Sequence, residues 1–445
     1  MIAILILLAV GGMMHAAGTF STSAGSGGTL LAFGYLLLAA YFAGRVVSRL
    51  GLPRLTGYLL AGIVSGPFVL ELVTSTMTAK LRVVNGVATC ILGLVAGAEL
   101  NLKRVKPIAR TLTAMMVFGV FGTIVALTGV LYGVRSLLPI FDGVSTANAL
   151  VICGVIAVAL IPQSPAIIMA LISETRADGP LSQLMLASVV VADLVVVIVY
   201  SLVAAVASAL LGAGVDVAGT ALSISWDLIG SLAFGVAIGM LLGLFLRTVK
   251  AGAPLFALMV CVVVAEIGVR IHLDPLIVML TAGIWLENFA RADASNLVHG
   301  FESAQLPVFL VWFALAGTRL DLVQLWELAL PVGIIAATRA FALFAGTRVA
   351  CAQTNAEPSV TKYGWIGLLP QAGLSLALVV VIQSSFPAFG GFAALLMLSV
   401  LGLNQLISPV LLRIALVRSG EAGKKHAPDF AASTATSSSR IPAPP

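Results

Sequence analysis

Fourteen apolar runs fill this chain and leave little else: residues 1–17, 29–48, 55–71, 82–100, 110–138, 147–172, 181–213, 227–249, 253–271, 275–290, 304–318, 324–350, 363–386 and 390–417. A helix needs about 20 apolar residues to cross the hydrocarbon layer, where every backbone polar group must be satisfied internally. Runs 55–71, 275–290 and 304–318 are short and must lean on neighbours. Charged residues make up 9% of the chain, against about 25% in a soluble domain, so most of the surface faces lipid. The pattern predicts an all-α polytopic membrane protein with 13–14 transmembrane helices. The opening run, MIAILILLAVGGMMHAAG, reads as an extra helix or as a signal-like segment, and FSTSAGSGG joins it to the rest, so residues 1–28 stand apart.

Internal repetition sets the architecture. RLGLPRLTGYLLAGI (Arg49 to Ile63) aligns with RIHLDPLIVMLTAGI (Arg270 to Ile284) at a constant offset of 221. GAELNL (Gly97 to Leu102) aligns with GTRLDL (Gly317 to Leu322), and LIPQSPAIIMAL (Leu160 to Leu171) with LLPQAGLSLALV (Leu368 to Val379). Order is kept throughout, so residues 29–213 and 253–418 are two copies of one six-helix unit, and residues 214–252 supply a linker helix. Corresponding helices are seven apart, an odd number, so the copies cross the membrane in opposite senses as two inverted six-helix repeats. Residues 419–445 form a polar, Ser/Pro/Ala-rich tail that is expected to be disordered and cytoplasmic.

The last pair of aligned stretches interrupts two of the most hydrophobic helices. Pro162, Gln163, Ser164 and Pro165 break the first, and Pro370, Gln371, Gly373 and Ser375 lie at the break in the second. A Pro inside a helix costs about 3 kcal/mol or more, and irregular backbone at membrane depth persists only inside protein or beside a wet cavity. One break is explained by an ordinary Pro kink. Two matched breaks from inverted copies predict crossed discontinuous helices, whose freed carbonyls and half-helix ends can coordinate an ion.

Orientation follows from charge. If the loop holding Arg49 and Arg54 is cytoplasmic, alternation puts 18 of the 24 Lys and Arg residues on that side and five outside, with Arg339 inside a helix. The net charge of +6 is therefore the positive bias of cytoplasmic loops rather than a nucleic-acid footprint, and the C-terminus is predicted to be cytoplasmic. Cys90, Cys153, Cys261 and Cys351 fall within apolar runs as packing residues. His15, His272, His299 and His426 show no metal-ligand spacing, GAGVDVAG lacks the strand and helix of a nucleotide site, and no cofactor is expected.

Two ionisable residues lie at membrane depth. Asp193 sits near the centre of its helix, at a cost of roughly 3 kcal/mol on insertion scales, and Arg339 is the only deep cation. Two readings are open. Asp193 and Arg339 form a structural ion pair, or Asp193 is an exchangeable carrier that binds a proton or a metal cation, never both, with Arg339 as the charge-compensating group. Glu266, four residues before Arg270, reads as a local helix pair, and Glu99 as an interfacial residue.

RVVSRLGLPRLTGYLLAGIVSGP, LGLVAGAELNLK, the PQSPA break, GPLSQLMLASVVVADLVVV, FALAGTRLDL and LNQLISPVLLRIAL together resemble the monovalent cation/proton antiporter superfamily over roughly residues 30–418. The resemblance implies a core domain moving against a dimerisation domain, a homodimer, an ion-binding Asp193 on the helix after the first break, and a basic Arg339 on the helix before the second. Many members carry Asp or Asn before the aspartate, where this chain has Ala192. A single carboxylate predicts one proton per cation, and Gln163, Ser164, Gln371 or Ser375 are the candidates to replace the missing amide.

The expected function is therefore secondary antiport of protons against Na+ or K+ at a plasma or inner membrane, not an enzymatic reaction. An ion-coupled symporter of an organic solute, built on a similar inverted repeat, is the rival.

Overall fold

The computed structural model describes residues 2–20, 27–211, 226–249, 252–271, 273–290, 307–371 and 373–424. His272, His299, His426 and the GAGVDVAG stretch lie outside the described residues, as does the side chain of Glu99. Among the described residues the structure is helical, with no strand.

Each apolar run becomes a helix or a pair of half-helices. The opening run forms α1 (Ile2–Phe20), which packs on α2 (Gly27–Arg49). The first half of the chain continues with α3 (Arg54–Ser65), α4 (Arg82–Glu99) and α5 (Lys106–Gly133). Its broken helix is α6 (Thr146–Ala159) followed by α7 (Pro165–Thr175), and α8 (Pro180–Leu211) comes next. Then follows α9 (Ser231–Thr248). The second half holds α10 (Ala253–Ile271), α11 (Pro275–Asn288), α12 (Pro307–Gly317) and α13 (Ala329–Thr354). Its broken helix is α14 (Pro358–Tyr363), a 3-10 extension over Gly364–Leu368 and then α15 (Gly373–Ser385), and α16 (Gly390–Arg418) ends the bundle.

Six of these helices are long and apolar enough to span a membrane alone. The shorter ones survive by close packing, and glycine makes this possible. A Cβ on Gly62 of α3 would run into the backbone of Ala314 and Gly317 in α12, and one on Gly317 would meet the Leu59 carbonyl. The matched residues repeat the arrangement in exchange: Gly283 of α11 abuts Leu94 and Gly97 in α4, and Gly97 faces the Leu280 carbonyl. The aligned stretches thus make the same backbone contact with one another. Small residues at such crossings let the dispersion contacts of two helices form at short range, which is the main adhesive between helices in lipid.

Two bundles result. α2, α3, α4, α9, α10, α11 and α12 pack around the glycine crossings, and α5, α6, α7, α8, α13, α15 and α16 pack around the two breaks. Helix starts follow local sequence: Asp274 accepts from the Leu276 and Ile277 amides at 2.8 and 3.3 Å with Pro275 in the first turn of α11, a strong start signal.

Candidate ion-binding crossing

The chain is non-helical over residues 161–164 and 369–371, and these two stretches touch. The Ser164 amide donates to the Pro370 carbonyl at 2.9 Å, and the Ser375 hydroxyl to the Pro162 carbonyl at 3.1 Å. Gln371 Nε2 donates to the Leu160 carbonyl, while its Oε1 accepts from Asn404 on α16 and its backbone carbonyl from Gln405 at 3.4 Å. Ser164 caps α7 by accepting from the Ile167 amide at 3.4 Å, and Pro165 occupies the first helical position, where its missing N–H costs nothing. Gly373 opens α15. The sequence-predicted break residues are therefore gathered at one crossing, with Ser164, Gln371 and Ser375 bonding across it to backbone of the other broken helix.

Asp193 lies beside this crossing, and its Oδ1 accepts from the Gln163 amide at 3.1 Å. Arg339 is at the crossing too, but engages its carbonyls. It is 1% exposed and spans the two half-helix C-termini: Nε donates to Leu160 O at 3.0 Å, Nη1 to Leu369 O at 2.8 Å, and Nη2 to Leu368 O at 2.9 Å and Ile161 O at 3.4 Å. Among the described residues no ion pair joins it to Asp193. Of the two readings open from the sequence, the structural Asp193–Arg339 pair is not the arrangement seen here. The reason is that the breaks leave orphan carbonyls at the negative ends of two helix dipoles, and a guanidinium with five donors satisfies them better than one carboxylate would satisfy it.

The two matched glutamines behave differently. Gln371 is fully engaged, whereas the Gln163 side chain, 1% exposed, has no hydrogen-bond partner for either Oε1 or Nε2. A buried uncommitted amide is costly, about 1–3 kcal/mol, and it lies one residue from Ser164 and bonded through its own backbone to Asp193.

Two cavities differ in their reach. A cavity of about 490 Å³ runs between the two bundles, bordered by Asp274, Trp312 and Arg319, and reaches Ser164, Pro165 and Gln405. A cavity of about 330 Å³ at the other end of α11, bordered by Asn101, Asp178 and Glu287, includes none of the break residues. There the bundles are tied: Glu174, at the end of α7, accepts from the Arg54 amide at 2.9 Å, and Arg413 of α16 donates to the Gly51 carbonyl. Glu266 and Arg270 form the expected pair at 2.9 Å.

Sequence reasoning did not single out Asn404, Gln405, Glu174 or Glu421. The first two were visible as adjacent amides inside an apolar helix, LNQLISP. Glu421 lies in the stretch expected to be disordered, yet residues 419–424 fold back on the bundle and Glu421 is 3% exposed. Gly420, at φ +76°, reverses the chain after α16, a helix-ending glycine signal that the tail's polar composition hid.

Two crossed broken helices, a carboxylate held beside them and a cavity that reaches the crossing fit a membrane transporter of the secondary class. The chain belongs to the sodium/hydrogen exchanger family, whose transmembrane model matches residues 3–417. This makes it a multi-pass membrane protein of the cation/proton antiport class. Its fold is similar to that of the sodium proton antiporter MjNhaP1 from Methanocaldococcus jannaschii at pH 8, with TM-score 0.63, 14% identity, and coverage of 89% of this chain and 98% of that one. An electron-microscopy structure of the same antiporter gives TM-score 0.61 at 16% identity, covering 88% and 96% of the two chains. No curated protein matches it in sequence.

Proposed function

We propose that the protein exchanges protons for Na+ or K+, one for one, with Asp193 as the group that binds either. The observation that carries this reading is Gln163, whose amide N–H holds Asp193 while its buried side chain has no partner of its own. A carboxylate and an uncommitted amide carbonyl form a hard oxygen set suited to a small cation. Ser164 is spent on capping α7, and Gln371 and Ser375 on bracing the crossing. Gln163 thus replaces the amide that Ala192 does not supply. The first copy carries the ligands and the second the brace.

Stoichiometry follows from the same inventory. Arg339 stays protonated and bound to four carbonyls, so it releases no proton. One exchanging carboxylate carries one positive charge each way, and the cycle is electroneutral. Alternating access consists of the two bundles rocking about the crossing, with the cavity beside Asp274 open and the end held by Glu174 and Arg413 closed. The charge bias places that closed end at the cytoplasm together with the C-terminus, in a plasma or inner membrane. The likeness to MjNhaP1, a sodium proton antiporter, supports Na+, and the proposed working unit is a homodimer.

Purified protein in liposomes with a trapped pH dye tests this. Proton movement driven by a Na+ or K+ gradient and insensitive to a clamped membrane potential is expected. A rate that scales with the potential would exclude one-for-one exchange, and no proton movement with either cation would favour solute symport.

A further inference from the structure

The residues just beyond α16 form a clasp on the two helices that meet at the proposed ion site. Glu421 is buried, and its Oε1 accepts from the Leu181 amide at 2.7 Å while its Oε2 accepts from the Ser182 amide at 2.8 Å. Both are otherwise orphan donors in the first turn of α8, where the helix dipole favours a negative charge. Its backbone carbonyl accepts from the Asp178 amide at 3.2 Å, and the Gly423 amide donates to the Thr175 carbonyl, the last residue of α7, at 2.9 Å. The segment therefore fixes the end of α7, the start of α8 and the short turn between them.

The far end of α7 and the middle of α8 frame the ion site. Ser164 caps α7, and the Gln163 amide before it holds Asp193 of α8. Asp193 lies about 20 Å along α8 from Pro180, at about 1.5 Å per residue. Two stiff helices, tied by Glu421 where α8 begins and touching again through Gln163 and Asp193 midway along α8, act as a caliper: a shift at the tie is carried to the second contact. We infer that Glu421 is a positioning residue for Asp193, and that the C-terminal segment sets the spacing between Asp193 and Gln163. This rests on Asp193 being the carrier.

The turn between the helices is shaped to admit the clasp. A Cβ on Gly179 would run into the Glu421 carboxylate, so Gly179→Ala displaces the clasp from the other side without touching Glu421 itself. Gly420 at φ +76° and Gly423 at φ +78° give the segment the reversal it needs to bring Glu421 against α8.

The test uses the full-length protein and two readouts. Hydrogen exchange follows the Leu181 and Ser182 amides, and liposome antiport gives KM for the cation and the maximal rate. Glu421→Ala is expected to deprotect both amides and raise KM about tenfold, the scale for losing a group that orients a metal ligand, with a smaller change in maximal rate. Glu421→Gln, which keeps the volume and one acceptor, falls between. Gly179→Ala mimics Glu421→Ala, and the double variant is no worse than either single one. Protected amides in Glu421→Ala would overturn the clasp. Deprotected amides with wild-type KM, or additive effects in the double variant, would overturn its reach to Asp193. Wild-type protein that exchanged no ions would instead contradict the proposed function.

Discussion

Gln163 and Gln371 occupy matched positions in the two copies, and replacing each by Leu should change stability in opposite directions. Leu is close in volume and carries no polar atom. At Gln163 it removes two buried groups that have no partner, which returns roughly 1–3 kcal/mol of desolvation cost per group, less whatever the local fit loses. At Gln371 it removes the bond to Leu160 O and leaves Nδ2 of Asn404, a buried residue, without its acceptor. Leu160 O keeps its bond from Arg339 at 3.0 Å, so the loss centres on Asn404, again about 1–3 kcal/mol. Thermal melting in detergent, without added Na+ or K+, should therefore place Gln163→Leu at or above wild type and Gln371→Leu below it. Antiport should follow another order, because Gln163→Leu removes the proposed cation ligand and is expected to raise KM while leaving the fold intact. A Gln163→Leu protein that melted below Gln371→Leu would refute the assignment of ligand to one copy and brace to the other.

Other outcomes follow from the same geometry. Arg339→Ala should destabilise by several kcal/mol, because the Leu368 and Leu369 carbonyls lose their donors; a melting cycle with Asp193→Asn should give a coupling near zero, and a coupling above about 1.5 kcal/mol would restore the direct pair. Gly97→Ala should lower the melting temperature, since its Cβ meets the Leu280 carbonyl, whereas Gly122→Ala, with open space around it, should not. Glu174→Ala removes the tie to the Arg54 amide, so hydrogen exchange at that amide should quicken; unchanged exchange would show that the closed end is held elsewhere.

Much of this molecule was legible in its sequence, for identifiable reasons. The fourteen runs map onto helices because lipid imposes length and apolarity on each one directly. The Pro-Gln breaks were visible because Pro removes a backbone donor wherever it stands. The partner of Arg339 was not visible: hydropathy locates two deep charges but not their separation, and the carbonyls that hold the guanidinium belong to Leu160, Ile161, Leu368 and Leu369, whose side chains give no sign of it. The division of labour between Gln163 and Gln371 was hidden too, because it depends on α16 presenting Asn404 to one of them. Glu421 was missed because its stretch is polar overall, while its burial depends on two amides more than two hundred residues away in sequence.

The most direct test of the central claim is cation-driven proton movement in liposomes containing wild type or Asp193→Asn, with each protein shown to be folded by its melting curve. The account predicts exchange in wild type and none in Asp193→Asn, since an amide cannot alternate between a proton and a cation. Exchange at the wild-type rate in Asp193→Asn would contradict it.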